Sequence, residues 1–186
     1  MLTTIVVLII VAALVMMGVG VYNRLVALRQ NANQAFADID VQLKQRHDLI
    51  PNLVETVKGY ATHERGTLEA VIAARNSAVS ATSIDDKVAA ENVLTGALRS
   101  VFALSEAYPD LKANANFAQL QAELSDIENK LAAARRFFNN SVGEYNAAIQ
   151  QFPAVLFAGA AGFTPRTFFD LGEGRAAAET APQVKF

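Results

Sequence analysis

The sequence predicts an all-α protein: an N-terminal transmembrane helix continuing into an antiparallel, up-and-down four-helix bundle with long first and last helices. Three observations carry this expectation. Residues 1–23 contain no charged side chain, an apolar run long enough to cross a bilayer core of roughly 30 Å. Beyond it, apolar positions recur at alternating steps of three and four, the spacing of a helix seam that faces partner helices. Nothing reads as a strand, and the links between periodic segments are short, as neighbouring antiparallel helices require.

The first element, "MLTTIVVLIIVAALVMMGVGVYN", ends at its first charge, Arg24. A cleaved signal peptide fits it poorly. There is no basic leading region, the apolar run is too long, and no clear small-x-small site precedes Tyr22. An uncleaved anchor over residues 1–22 is therefore expected. Arg24, Arg29, Lys44 and Arg46 follow the span and only the terminal amine precedes it. Positive flanks stay cytoplasmic, which predicts a single-pass membrane protein with its N-terminus out and its bundle in the cytoplasm. A bundle on the outer face is the alternative.

The second element is the seam Tyr22, Leu25, Arg29, Ala32, Phe36, Ile39, Leu43, Arg46, Ile50, Leu53, Val57 and Tyr60. It keeps phase across Pro51, a residue that ordinarily ends or kinks a helix. One helix to about residue 62, bent near Pro51, is expected. A break there, with Asp48 capping a new helix, is the other possibility. "RGTLEAVIAARNSAVSA" predicts a shorter amphipathic helix over 65–81, and Ser83 or Asp85 caps the next, over about 84–107. "YPD" closes that helix, and the seam Phe117, Leu120, Leu124, Ile127, Leu131, Ala134, Phe138, Ser141, Tyr145, Ala148 and Phe152 predicts a last helix over about 112–151. The organisation is thus an anchor over 1–22, a bundle over 23–152, an apolar juxtamembrane segment over 153–171 and a polar tail over 172–186.

Composition excludes several functions. The net charge of −2 over 186 residues offers no clustered basic surface for nucleic acid. The absence of cysteine removes disulfides, thiolate metal sites, cysteine nucleophiles and a lipid-modified N-terminal cysteine. His47 and His63 lack the Glu-x-x-His spacing of a di-iron bundle and the "HExxH" pattern of a zinc protease. Both are read as solvated or capping residues. No "GxSxG" elbow or phosphate-binding glycine loop appears. No catalytic, cofactor or metal residue is assigned. Asp40 and Lys44 are expected to pair along the helix, while Asp38, Gln42, Gln45, Lys58 and Thr62 form its solvated face. Arg29 and Arg46 occupy seam positions, either snorkelling outward or pairing with acids such as Glu91.

On "YNRLVALR", "AFADIDVQLKQRHDLIPNLVETVKGYATHE", "ARRFFNNSVGEYNAAIQQFP" and "GFTPRTFF", the chain resembles the LemA family of bacterial membrane proteins over about residues 22–170. The resemblance implies one N-terminal span followed by a helical bundle, no established enzyme activity, and a likeness to proteins of magnetosome membrane biogenesis. It assigns no roles to the motif positions.

After the last helix comes an uncharged stretch, "FPAVLFAGAAGF", too short to span. In an up-and-down bundle it returns towards the membrane, where it lies in the interface, packs on the anchor or bundle base, or seals against another copy. Arg46, His47, Asp48, Pro51, Asn52, Phe152, Pro153, Phe157 and Phe163 are accordingly the expected structural or interaction residues. The expected partners are the lipid bilayer, further copies of the chain and a membrane protein, with no nucleic acid and no cofactor. The expected role is a non-enzymatic membrane scaffold that assembles with itself. An adaptor or regulator of a membrane protease or other envelope protein comes second, and an enzyme with a site between subunits third.

Overall fold

In the computed structural model, residues 1–61 and 63–169 are described, and all regular structure among them is helical. The expected polar tail over 172–186 and the expected solvated position Thr62 lie outside the described residues. Helix α1 runs Leu2–Lys58, α2 Arg65–Ser80, α3 Ile84–Ser105, α4 Pro109–Lys112 and α5 Ala115–Gln150, followed by a 3-10 turn at Ala154–Leu156.

Local chemistry sets these limits. Pro51 lies inside α1 without ending it, so the helix does not break at Asp48. Ser83 caps α3 by accepting the Asp86 amide at 3.0 Å. Asp85 and Asp86 in the first turn complement the positive end of the helix dipole. Pro109 opens the one-turn α4, where its missing N–H costs nothing. Asn114 then accepts the Phe117 amide at 2.9 Å and starts α5. The expected last helix, over about 112–151, is α5, which starts three residues later behind the Asn114 cap; the one-turn α4 before it was not expected.

The residues form two compact units. The first comprises Met1–Ile39 and Ala133–Phe168, the second Asp40–Ala132, with Phe169 grouped with it. In the first unit, Leu25 and Leu28 of α1 share a buried cluster with Tyr145, Ala148 and Ile149 of α5, and with Ala154, Ala158 and Phe163 beyond it. Phe36 meets Phe138 at 5.4 Å between ring centroids. Partners in α5 decrease in number as those in α1 increase, so the two helices are antiparallel here. Residues 2–17 of α1 are exposed along their whole length. That helix alone among the described residues is long and apolar enough to cross a membrane.

In the second unit α1, α2, α3 and α5 surround a core that includes Leu53, Val57, Val71, Leu94, Val101, Leu111 and Phe117. Burying each large apolar side chain contributes roughly 1.5–3 kcal/mol. The cross-helix bonds give directions. Asp40 and Arg46 of α1 meet Lys87 and Glu91 of α3 in the same order. Arg46 meets Glu128 of α5, and Tyr60 meets Asn114 just before it, in opposite order. The expected up-and-down bundle is found in this unit.

Two surface assignments differ from expectation. Asp40 pairs with Lys87 on α3 rather than Lys44, and Lys44 reaches forward to Asp48 at 2.7 Å. Gln42 is half-buried, with its Oε1 enclosed and unbonded. It belongs to the packed side of α1 because it lies one turn before Arg46.

Candidate functional site

The seam position Arg46 is only 2% exposed. A guanidinium cannot shed its charge, so burial demands acceptors. Arg46 Nη1 donates to Glu91 Oε2 at 2.9 Å, and Nη2 reaches Thr95 Oγ1 at 2.8 Å and Glu128 Oε1 at 2.6 Å. Of the two readings open from the sequence, pairing holds and snorkelling does not. The other Glu91 oxygen lies 2.6 Å from His47 Nε2. An ionised carboxylate is acceptor-only, so the imidazole presents its Nε2 proton there. His47, expected to be solvated or capping, is instead buried against Glu91. It follows Arg46 directly in α1, so both reach the same carboxylate. His63 is exposed.

Pro51 has a consequence for the same cluster. Lacking an N–H, it leaves the carbonyl four residues earlier, that of His47, without its helical donor. Arg75 of α2 supplies one, Nε to His47 O at 3.2 Å. Helices α1, α2, α3 and α5 thus meet at Arg46 and His47. Replacing Arg75 with Met is expected to cost about 1–2 kcal/mol by stranding that carbonyl. In a Pro51→Ala background, where the backbone bond can re-form, the cost should largely vanish. Denaturant unfolding of the four variants tests this, and additive effects would mean that Arg75 acts elsewhere.

The remaining sequence-selected residues stand apart from this cluster. Asp48 borders a shallow groove of about 370 Å³ with Gln45, Leu49, Glu123, Asp126, Ile127 and Lys130. Its hydrogen bond from the Lys44 ammonium holds its carboxyl below the ordinary range. Pro51 and Asn52 are exposed, and the Asn52 carbonyl accepts from Thr56 at 2.8 Å. Elsewhere in this unit, burial, followed by the nearby Glu64 carboxylate, raises the Tyr108 phenol. Phe152, Pro153, Phe157 and Phe163 belong to the first unit. There Phe163 is buried, Phe157 and Pro153 are half-buried and Phe152 is exposed.

The cluster holds acid–base side chains, but their hydrogen-bonding groups are largely spent on one another. Arg46 and Glu91 are both enclosed, and the Thr95 hydroxyl accepts from Arg46. Arg46 Nε is buried without a partner. Among the described residues no group of three or more His, Asp or Glu side chains is placed to hold a metal. Chemically, the arrangement fixes α1, α3 and α5 in register. Sequence reasoning missed Thr95 and Glu128. Glu91 carried a signal: it fills the gap between Val88 and Leu94 in the α3 seam.

In the first unit a different polar set holds the chain after α5. Tyr145 Oη donates to Thr164 O at 3.0 Å. Asn146 and the Arg166 backbone exchange two bonds, both 2.9 Å. Arg166 Nη2 donates to Asn33 Oδ1 at 2.6 Å. Arg29, the other seam arginine, lies 4.9 Å from the centre of the Phe163 ring. These contacts give roles to Tyr145 and Asn146 that their motif does not supply.

The model of the LemA family matches residues 35–186. The magnetosome protein MamQ of Magnetospirillum gryphiswaldense is 23% identical over 174 residues, which cover 80% of this chain and 64% of that protein. Protein LemA of Metamycoplasma hominis is 28% identical over 138 residues, 72% of this chain and 62% of that one. The matches thus span less than two-thirds of either relative's length.

Proposed function

The chain belongs to the LemA family, and from its architecture we propose that it is a non-enzymatic scaffold that assembles with its own copies at a membrane. The carrying observation is the division of labour along α1. Its first part is an unburied, span-length apolar helix, and its later part is one wall of a bundle locked by buried charges. A protein so built holds a folded surface at a bilayer. The likeness to a magnetosome protein accords with a role in organising membrane.

Self-assembly is favoured by what the first unit leaves uncovered. A side chain added at Gly18 or Gly20 would meet nothing within 4 Å, so the small-residue face of the span is open to close approach by another span. Phe137 of α5 is also exposed. The basic flank after the span supports a bundle on the cytoplasmic side.

Size measurement on the full-length protein, extracted from membranes in mild detergent and corrected for bound detergent, tests the reading. A mass of several chains is expected. A single chain that co-purifies one membrane protein in fixed ratio would replace the scaffold by the adaptor.

A further inference from the structure

The segment after α5 has two chemically different sides. Ala154, Ala158 and Phe163 are buried against Leu25 and Tyr145. On the other side Phe152 is 77% exposed, Val155 53% and Leu156 72%. Three large apolar side chains within five residues form a patch that a monomer in water rarely carries. From Tyr145 to Pro165 there is no charged side chain.

What covers this patch follows from its neighbours. Phe157 lines an apolar groove with Val15, Gly18, Val19 and Tyr22, the last turns of the candidate span. Side chains in contact with those turns lie at the depth where the span leaves the hydrocarbon. The backbone suits that depth as well, since turns at lipid level must satisfy their own polar groups. Val155 N bonds Gln151 O at 2.9 Å, Ala158 N bonds Ala154 O at 2.8 Å, and Phe163 N bonds Ala158 O at 2.9 Å. Gly162 supplies the positive φ of 76° that turns the chain back. Arg24, Arg29 and Arg166 belong to the same unit, and none has a carboxylate in ion-pair range among the described residues.

We propose that Phe152, Val155 and Leu156 form a second membrane contact, a wedge inserted into the leaflet through which the span exits, with Arg24 and Arg29 towards anionic headgroups. Apolar side chains at the acyl boundary and cations in the headgroup layer are the two attractions that hold interfacial segments. The wedge makes the protein grip one leaflet beside its anchor. It rests on the spanning reading of α1 and is independent of self-assembly.

The chain contains no tryptophan, so a single introduced one reports its own surroundings. Full-length Leu156→Trp is reconstituted in phosphatidylcholine–phosphatidylglycerol vesicles whose acyl chains carry bromine at shallow or deep positions. Val11→Trp in the span and Val93→Trp, exposed on α3, serve as references. Leu156→Trp is expected to lose emission to shallow bromines and to resist aqueous acrylamide, whereas Val93→Trp does the reverse. If Leu156→Trp is quenched by acrylamide while Val11→Trp is quenched by lipid, the wedge is overturned and the anchor stands. If Leu156→Trp resists both quenchers, a second copy covers the patch and the wedge is again overturned. If Val11→Trp escapes the bromines, the spanning premise itself is wrong and the wedge falls with it.

Discussion

Arg46→Met is expected to destabilise the second unit by about 3–5 kcal/mol, because it strands a buried carboxylate while preserving most of the side-chain volume. Glu91 is as enclosed as Arg46, and its remaining partner would be His47 alone. Two outcomes separate this from ordinary packing loss. Glu128→Gln removes an ion pair of similar length, 2.6 Å, but its carboxylate is 40% exposed. Solvent screens such a group, and a cost of about 1 kcal/mol or less is expected. The double variant Arg46→Met/Glu91→Leu removes both buried charges and should recover much of the loss, since a well-packed apolar replacement rivals a buried pair. Hydrogen exchange across residues 84–105, read peptide by peptide, gives the local stability without requiring the whole chain to unfold in one step. Equal losses for Arg46→Met and Glu128→Gln would show that burial does not set the energetics of this cluster.

The same cluster shows where sequence reading succeeds and where it stops. Helix α1 was legible because burial on a helix imposes its own period: Leu25, Ala32, Ile39, Leu43, Ile50, Leu53 and Val57 are all buried on the predicted seam. Its ends, Tyr22 and Tyr60, are only partly covered, by Phe163 and by a hydrogen bond from Asn114, because the apolar period persists to where the packing thins. The pairing of Arg46 was legible only as a choice, since an arginine on a seam either reaches water or finds an acid, and the period alone does not supply the acid. Glu91 interrupts the α3 seam in the same way. Two charged interruptions in facing seams are the trace such a lock leaves in a sequence. His47 and Thr95 lie beside the seams and leave none. The Arg75 contact is legible afterwards as a consequence of Pro51, yet many side chains could have supplied that donor. The one-turn α4 was missed because four residues are too few to show a helical period, and its limits are set by Pro109 and the Asn114 cap rather than by an apolar pattern.

Phe163→Ala is expected to cost about 3–5 kcal/mol, the range for removing a buried aromatic ring, and to release the chain between Phe152 and Phe169 rather than unfold α1 or α5. The ring is 2% exposed and meets Tyr22 edge-on at 5.4 Å, with Arg29 over its face. Aromatic geometry and the cation each add about 0.5–1.5 kcal/mol to what burial alone provides. The helices keep their own contacts, among them Phe36 on Phe138, so the damage should be local. Asn146→Ala attacks the same segment from the polar side. It removes both bonds to the Arg166 backbone, each typically worth about 0.5–1.5 kcal/mol. The two substitutions remove holds at opposite ends of the Phe163–Arg166 stretch, the Phe163 ring itself and the Asn146 bonds to Arg166, and so act on one docked segment. Their combined cost should therefore fall short of the sum, because a segment once released has little left to lose. Limited proteolysis at residues 152–169, with exchange in α5 as the internal reference, reads the effect. Cleavage that rises in step with loss of α5 protection would mean that this segment and α5 unfold together. Cleavage that rises alone would establish it as a separately docked strap, with the Phe163 ring and the Asn146 side-chain amide among its holds.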